Sequence, residues 1–216
     1  MIKRAFCVMM ICLLHTLWTA GSTISGMAKD EQLLLDCFSR FSYTQHLGVG
    51  QAEYSLFAAQ LSAFYRHETD TPHVAQHPFH DYEVMHLFDV RTLLDNVSRV
   101  ALVCLCGTLL FVLLTIYLMR RKRTSLWPGC IAYLALLAIV TLYFVCDFGH
   151  AFTLIHELLF TNDLWLLNPQ TDLLSALMPE DMFIFLAKKV LMRVLPLLIA
   201  IPIFLPFPRK NAQPRQ

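Results

Sequence analysis

Histidine is the side chain in this sequence best suited to chemistry near neutral pH, because an imidazole can take and return a proton within one reaction cycle. Nine are present. His67, His73, His77 and His80 lie in or beside one polar stretch, but the spacings HPFH and HDYEVMH match no zinc-ligand pattern, so these read as solvated loop residues. His86 and His156 differ in position. Each stands where a polar segment meets a long apolar run, within reach of both lipid headgroups and water. His86 and Asp89 are three residues apart and share one helical face, so the carboxylate can orient the ring as acids do for catalytic histidines. An interfacial histidine beside a solvated aspartate is the plainer alternative, and periodicity alone leaves it open.

The elements that must position these side chains are membrane helices. Of 216 residues, 56% are hydrophobic and 15% charged, whereas soluble domains carry about 25% charged residues. The apolar excess is gathered into runs at 5–22, 97–119, 127–146 and 183–207, each near the ~20 residues that span a hydrocarbon core. The expectation is an all-α membrane protein with four transmembrane helices at 1–24, 97–119, 127–146 and 183–207. Extracytoplasmic helical or loop caps then occupy 25–96 and 147–182, with a cytoplasmic turn at 120–126 and a cytoplasmic tail at 208–216. Lys3 and Arg4 ahead of AFCVMMICLLHTLW, with Ala20, Gly21 and Ser22 behind, also describe a secretory signal peptide. A retained anchor is favoured, since the run is slightly long for a signal and no cysteine follows it as in a lipoprotein box.

Charge sets the orientation, because cytoplasmic flanks of short loops are enriched in Lys and Arg. Lys3, Arg4, Arg120, Arg121, Lys122, Arg123, Arg209, Lys210 and Arg215 fall on the side read as inside, without one acid. All sixteen acids fall at 30–95 or 147–181, so a net charge of +1 conceals a basic inner face and an acidic outer one. Of seven cysteines only Cys37 lies clearly outside the apolar runs, which leaves no disulfide framework. No basic patch marks the large exposed portions, which argues against a nucleic-acid partner.

Apolar residues at 33, 34, 37, 38 and 41 predict an amphipathic helix in DEQLLLDCFSRFSYTQ, and EYSLFAAQLSAFY predicts a second. TDTPHVAQHPF, with two prolines, reads as a loop. From Asp81 a helical pattern runs straight into the second span. Because the turn at 120–126 is short, spans two and three must be antiparallel, which brings His86 and His156 to one membrane level. The segment after span three begins helically and turns at Thr161, Asn162 and Asp163, and again at Asn168 and Pro169. Its Trp165 has the character of an interfacial anchor.

The run FTLIHELLFTNDLWLLNPQTDLLSALMPEDMF, Phe152 to Phe183, resembles the signature of the lipoprotein intramolecular transacylase family: a His, then Asn-Asp-x-Trp, Asp-Pro, Asp and Pro-Glu before the last span. EVMHLFDVRTLL, Glu83 to Leu94, resembles that family's second histidine block. One departure is visible, Asn168 standing where the pattern has Asp.

The resemblance implies a bacterial cytoplasmic-membrane enzyme, multi-pass, with its active site on the outer side. Its substrate is a diacylglyceryl-modified lipoprotein, and the sn-2 acyl chain moves from glycerol to the α-amino group of the modified cysteine. The product is an N-acyl lyso-form lipoprotein. Ester to amide is downhill, so no cofactor, nucleotide or metal is required. The chemistry needs a neutral amine, an oxyanion stabiliser and an acid for the departing alkoxide. His86 and His156 are the catalytic candidates, one as base and the other as acid or electrophile, with the assignment open. Asp89, Asn162, Asp163 and Trp165 are candidate supports, and Arg193 with Lys188 and Lys189 candidate contacts for membrane phospholipid headgroups. A metal-dependent membrane hydrolase built on the histidines and a non-enzymatic lipid-binding or assembly protein are the alternatives.

Overall fold

The computed structural model describes residues 2–72, 79–119 and 127–204, and among them only helices and turns occur. In chain order the helices are α1 (Ile2–Ala28), α2 (Glu31–Phe41), α3 (Tyr54–Tyr65), α4 (Asp81–Met119), α5 (Trp127–Cys146), α6 (Phe148–Leu159), α7 (Leu173–Leu177) and α8 (Glu180–Phe204). Two short 3-10 turns, Thr44–Leu47 and Gln51–Glu53, join α2 to α3.

Among the described residues three helices are long and apolar enough to cross a membrane: α1, α4 and α5. The 25-residue α8 is long enough, but Lys188, Lys189 and Arg193 interrupt its apolar sequence. α4 is much longer than a bilayer needs. Its 39 residues span roughly 58 Å at the ~1.5 Å rise of an α-helix, against a hydrocarbon core of ~30 Å. The half of α4 from about residue 97 is almost free of charge, whereas the half before it bears Asp81, Glu83, His86, Asp89, Arg91 and Asp95 and is called the projecting half. The basic turn at 120–126 and the tail at 208–216 lie outside the described residues.

α1 is the element against which α4, α5 and α8 pack. Between lipid-soluble helices the apolar driving force is small, and close approach through small residues takes its place. Gly21 abuts Val97 and Ala101, and the Ser25 hydroxyl donates to the Leu94 carbonyl at 3.1 Å and pairs with Ser98 at 2.7 Å. Gly129, at the start of α5, faces the backbone of Ala5 so closely that no Cβ would fit. Thr16 and Tyr133 exchange a hydrogen bond beside Val8, Cys12, Cys130 and Val194.

The second core is of the ordinary globular kind, and it gathers α2, α3, the projecting half of α4, α7 and the start of α8 around Phe38, Phe57, Phe64, Leu87, Leu177 and Met182. The helical stripe expected in α2 buries Leu34, Cys37 and Phe38, and Asp30 caps that helix by accepting from the Leu33 N–H at 3.1 Å. Ser42 donates to the Leu177 carbonyl at 2.6 Å and the Tyr43 N–H to that of Ala176 at 3.2 Å. The residues between α1 and the apolar half of α4 and those after α5 therefore share one globular core, the cap.

Candidate active site

The projecting half of α4 presents Glu83, His86 and Asp89 at three-residue intervals, which puts them in a row on one face. α6 faces it. The helix is started by Asp147, whose carboxylate accepts from the His150 N–H at 3.0 Å, and Phe148, Phe152 and His156 follow at four-residue spacing. Ring contacts run along this stripe, 6.0 Å from Phe148 to Phe152 and 4.2 Å from Phe152 to His156.

The imidazoles of His86 and His156 lie 6.3 Å apart between centroids. Phe160 packs on both, at 5.2 Å and 5.6 Å, and Trp165 lies 5.2 Å from His156. Trp165, expected from sequence both as an interfacial anchor and as a candidate support, thus packs directly on the His156 ring. Asn162 reaches across from the loop after α6, donating through Nδ2 to the Asp89 carboxylate at 2.9 Å, while its own Oδ1 accepts from the Leu164 N–H at 3.1 Å. The partner of Asp89 is Asn162 and not the His86 ring. Asp163 is exposed and contributes its backbone carbonyl to the turn, accepting from the Leu166 N–H at 3.0 Å.

The two histidines differ in hydrogen bonding. Nδ1 of His156 is 2.7 Å from the Phe152 carbonyl, which can only accept, so this nitrogen carries hydrogen and Nε2 is the ring position left for proton exchange. His86 is 7% exposed and its Nδ1 is buried without a hydrogen-bond partner. Burial first, and the neighbouring His156 second, push the His86 pKa down to about 4 against the opposing pull of Asp89. Burial thus favours the neutral form of His86, which carries an unsatisfied buried polar atom on a ring packed by Phe160. Such atoms are uncommon in native proteins and call for an explanation.

Two further carboxylates, Glu83 and Asp172, not among the candidates from sequence, tie the walls together. Glu83 is fully buried, with one carboxylate oxygen accepting from the Leu174 N–H and the other from the His80 N–H, both at 2.7 Å. Asp172 accepts from the Tyr82 and Thr171 hydroxyls and from the Asn168 N–H, each at 2.7 Å. Burial pushes the Glu83 carboxyl up despite its two backbone donors, whereas the donors around Asp172 outweigh burial and hold it below the usual range. Half of this was readable, since Glu83 stands where an acid commonly reaches back to a helix N-cap. Its second bond, to α7, joins residues 91 positions apart.

The other sequence candidates are dispersed. Lys189 lies 4.9 Å over the Phe185 ring, joined there by Arg40 at 5.8 Å, while Lys188 and Arg193 are exposed. Exposed His67 is bound to Asp95 at 2.9 Å, and His80 stacks on Tyr82 at 5.2 Å. His73 and His77 lie outside the described residues. Among the described residues no three His, Cys, Asp or Glu side chains come together as a metal site would require. Asn168 works as well as Asp in its turn, its side-chain oxygen accepting from the Gln170 N–H at 3.0 Å.

A family model described as lipoprotein intramolecular transacylase Lit matches residues 8–183. A comparison with curated proteins found no match. Among solved structures, the chain resembles the membrane integral lipoprotein intramolecular transacylase Lit from Bacillus cereus, with TM-score 0.72 and 18% identity over 94% of this chain and 95% of that one. Two variants of the same Bacillus cereus protein, with a histidine replaced by arginine or by alanine, superpose with TM-score 0.69 at 17% identity. They cover 92% and 93% of those chains and 94% of this one. At such identities the likeness is one of fold.

Proposed function

The chain belongs to the lipoprotein intramolecular transacylase family, and from that premise we propose that it moves the sn-2 acyl chain of an S-diacylglyceryl cysteine to the α-amino group of the same residue. The observation that carries the assignment of roles is the pair of rings 6.3 Å apart in opposite hydrogen-bonding states.

His156 is the base. Its Nε2 lone pair, oriented by the Phe152 carbonyl, takes a proton from the attacking amine. Nitrogen bonds to the ester carbonyl carbon, and the oxygen of the tetrahedral intermediate becomes an anion. His86 is the electrophile, a neutral ring that donates a hydrogen bond to this oxyanion, and the substrate thereby supplies the partner its buried Nδ1 lacks. The carbon–oxygen bond to glycerol then breaks and the imidazolium of His156 returns its proton to the alkoxide. Atoms balance within one molecule: an ester and an amine become an amide and an alcohol, and His156 ends as it began. Aromatic walls from Phe152, Phe160 and Trp165 exclude the water that would otherwise hydrolyse the ester.

The reaction takes place at the outer face of the bacterial cytoplasmic membrane, since the acidic cap carries the site and the nine bases without acids mark the inner side. α8 is the fourth span and α1 a retained anchor, as its packing against three other helices supports. Lys188, Lys189 and Arg193 extend from α8 toward phospholipid headgroups. Mass spectrometry of lipoprotein N-terminal peptides, from cells with and without this chain, tests the activity. An N-acyl lyso form that persists undiminished without the chain would refute it.

A further inference from the structure

The loop carrying Phe160, Asn162 and Trp165 has no regular structure of its own between α6 and α7, yet it must hold two rings against His86 and His156. It is fixed to α4 at two levels. At one, Asn162 donates to Asp89; at the other, Leu174 donates to Glu83 while Tyr82 donates to Asp172. The second contact is reciprocal, because α4 gives a carboxylate to the backbone at α7 and receives a carboxylate for its own hydroxyl. His86 lies midway, three residues from Glu83 and three from Asp89.

We propose that Glu83 and Asp172 are positioning residues of the transacylase, a latch that holds the 160–172 loop closed over α4 and so sets the register between His86 and His156. This rests on the reading of those histidines as the reacting pair. Glu83 is hard to replace for a definite reason: both of its oxygens face backbone N–H groups, which can only donate. Glutamine offers one oxygen and one amino group, so one contact becomes donor against donor. Tyr82→Phe is the milder probe, deleting one hydroxyl from a partly exposed ring that keeps its stacking on His80.

Loosening the latch also hydrates the enclosure. His86 owes its low pKa first to burial, and the charged or titratable groups facing it are His156 from α6 and Asp89 on its own helix. Water entering past Phe160 raises that pKa toward the ordinary histidine value.

The test uses full-length protein in nanodiscs, with a diacylglyceryl lipopeptide as substrate and with ¹⁵N-labelled histidine for imidazole titration by NMR. Glu83→Gln is expected to lower kcat roughly 10- to 100-fold with KM little changed, as misplacement of reacting groups does. Tyr82→Phe is expected to lower kcat roughly fivefold, the worth of one hydrogen bond. In both, the His86 midpoint moves up from about 4. Leu61→Ala, in the apolar core of the cap and matched for lost thermal stability, separates positioning from mere stability by shifting neither kcat nor the midpoint. Glu83→Gln and Tyr82→Phe proteins with the parent kcat and an unmoved His86 midpoint would overturn the latch, as would Leu61→Ala reproducing both effects. His86→Ala and His156→Ala are run alongside. Their inactivity with a normal Glu83→Gln sinks the latch alone, whereas their full activity sinks the underlying reading and the latch with it.

Discussion

His86 and His156 face each other at 6.3 Å with their planes inclined by 34°, one ring held by a carbonyl and the other with a buried nitrogen unbonded. In the proposed reaction the substrate amine loses its proton to one ring while the ester oxygen accepts a hydrogen bond from the other.

Replacing either histidine by alanine is therefore expected to abolish lyso-form lipoprotein formation while the protein still inserts. Each such contribution is worth roughly 10²- to 10⁴-fold in rate. His73→Ala and His77→Ala are expected to be nearly silent. Mass spectrometry of lipoprotein N-termini reads the contrast; a metal site on the loop histidines predicts the reverse ranking, and a non-catalytic lipid binder predicts no large effect from either pair.

The titration of His86 has a definite sign. Its pKa is near 6.5 in the unfolded chain and about 4 in the folded one, so between these values the unfolded state binds more protons. Stability is accordingly full above pH ~6.5, falls as the pH drops toward 4 and levels off below, a loss of roughly 3 kcal/mol from this group. Thermal denaturation in detergent checks it: His86→Phe should flatten that part of the pH dependence, and an unchanged slope would mean the ring is already hydrated.

Asn162 donates to a carboxylate, which predicts an asymmetry between its variants. Asn162→Ala is expected to lower kcat roughly tenfold through a loosened loop. Asn162→Asp sets two carboxylates against each other and is expected to be worse at pH 7, recovering as the pH is lowered toward 5 and one of them takes a proton. An Asp variant that matches Ala at both pH values would show that the contact with Asp89 contributes nothing.

Orientation is open to labelling. A Lys122→Cys thiol should be inaccessible to impermeant reagents in intact cells, and one at Glu157 accessible. Native Cys37 gives little background, being fully buried with a thiol that burial pushes up to about 11. Labelling at 122 from outside would reverse the orientation of every span.

Much of the architecture was legible because hydropathy and helical period are local properties. The apolar run at 127–146 is α5, the stripe from Leu33 to Phe41 is the buried face of α2, and the pattern from Asp81 continues unbroken through α4. α7 was not legible, since five residues show no period and its place is fixed by bonds to Glu83, Ser42 and Tyr43 from remote parts of the chain.

Residue types and spacing alone pointed to His86 and His156 and led to the expectation that both stand at one membrane level, because the lengths of the apolar runs and the charge asymmetry leave few other arrangements. Tertiary structure alone decided what each histidine can do. Asp89, which by spacing should serve His86, is taken by Asn162 from 73 positions away, and the carbonyl of Phe152 fixes the tautomer of His156. Hydrogen bonds are directional and burial is collective, so the protonation state of a side chain depends on neighbours that sequence distance does not reveal.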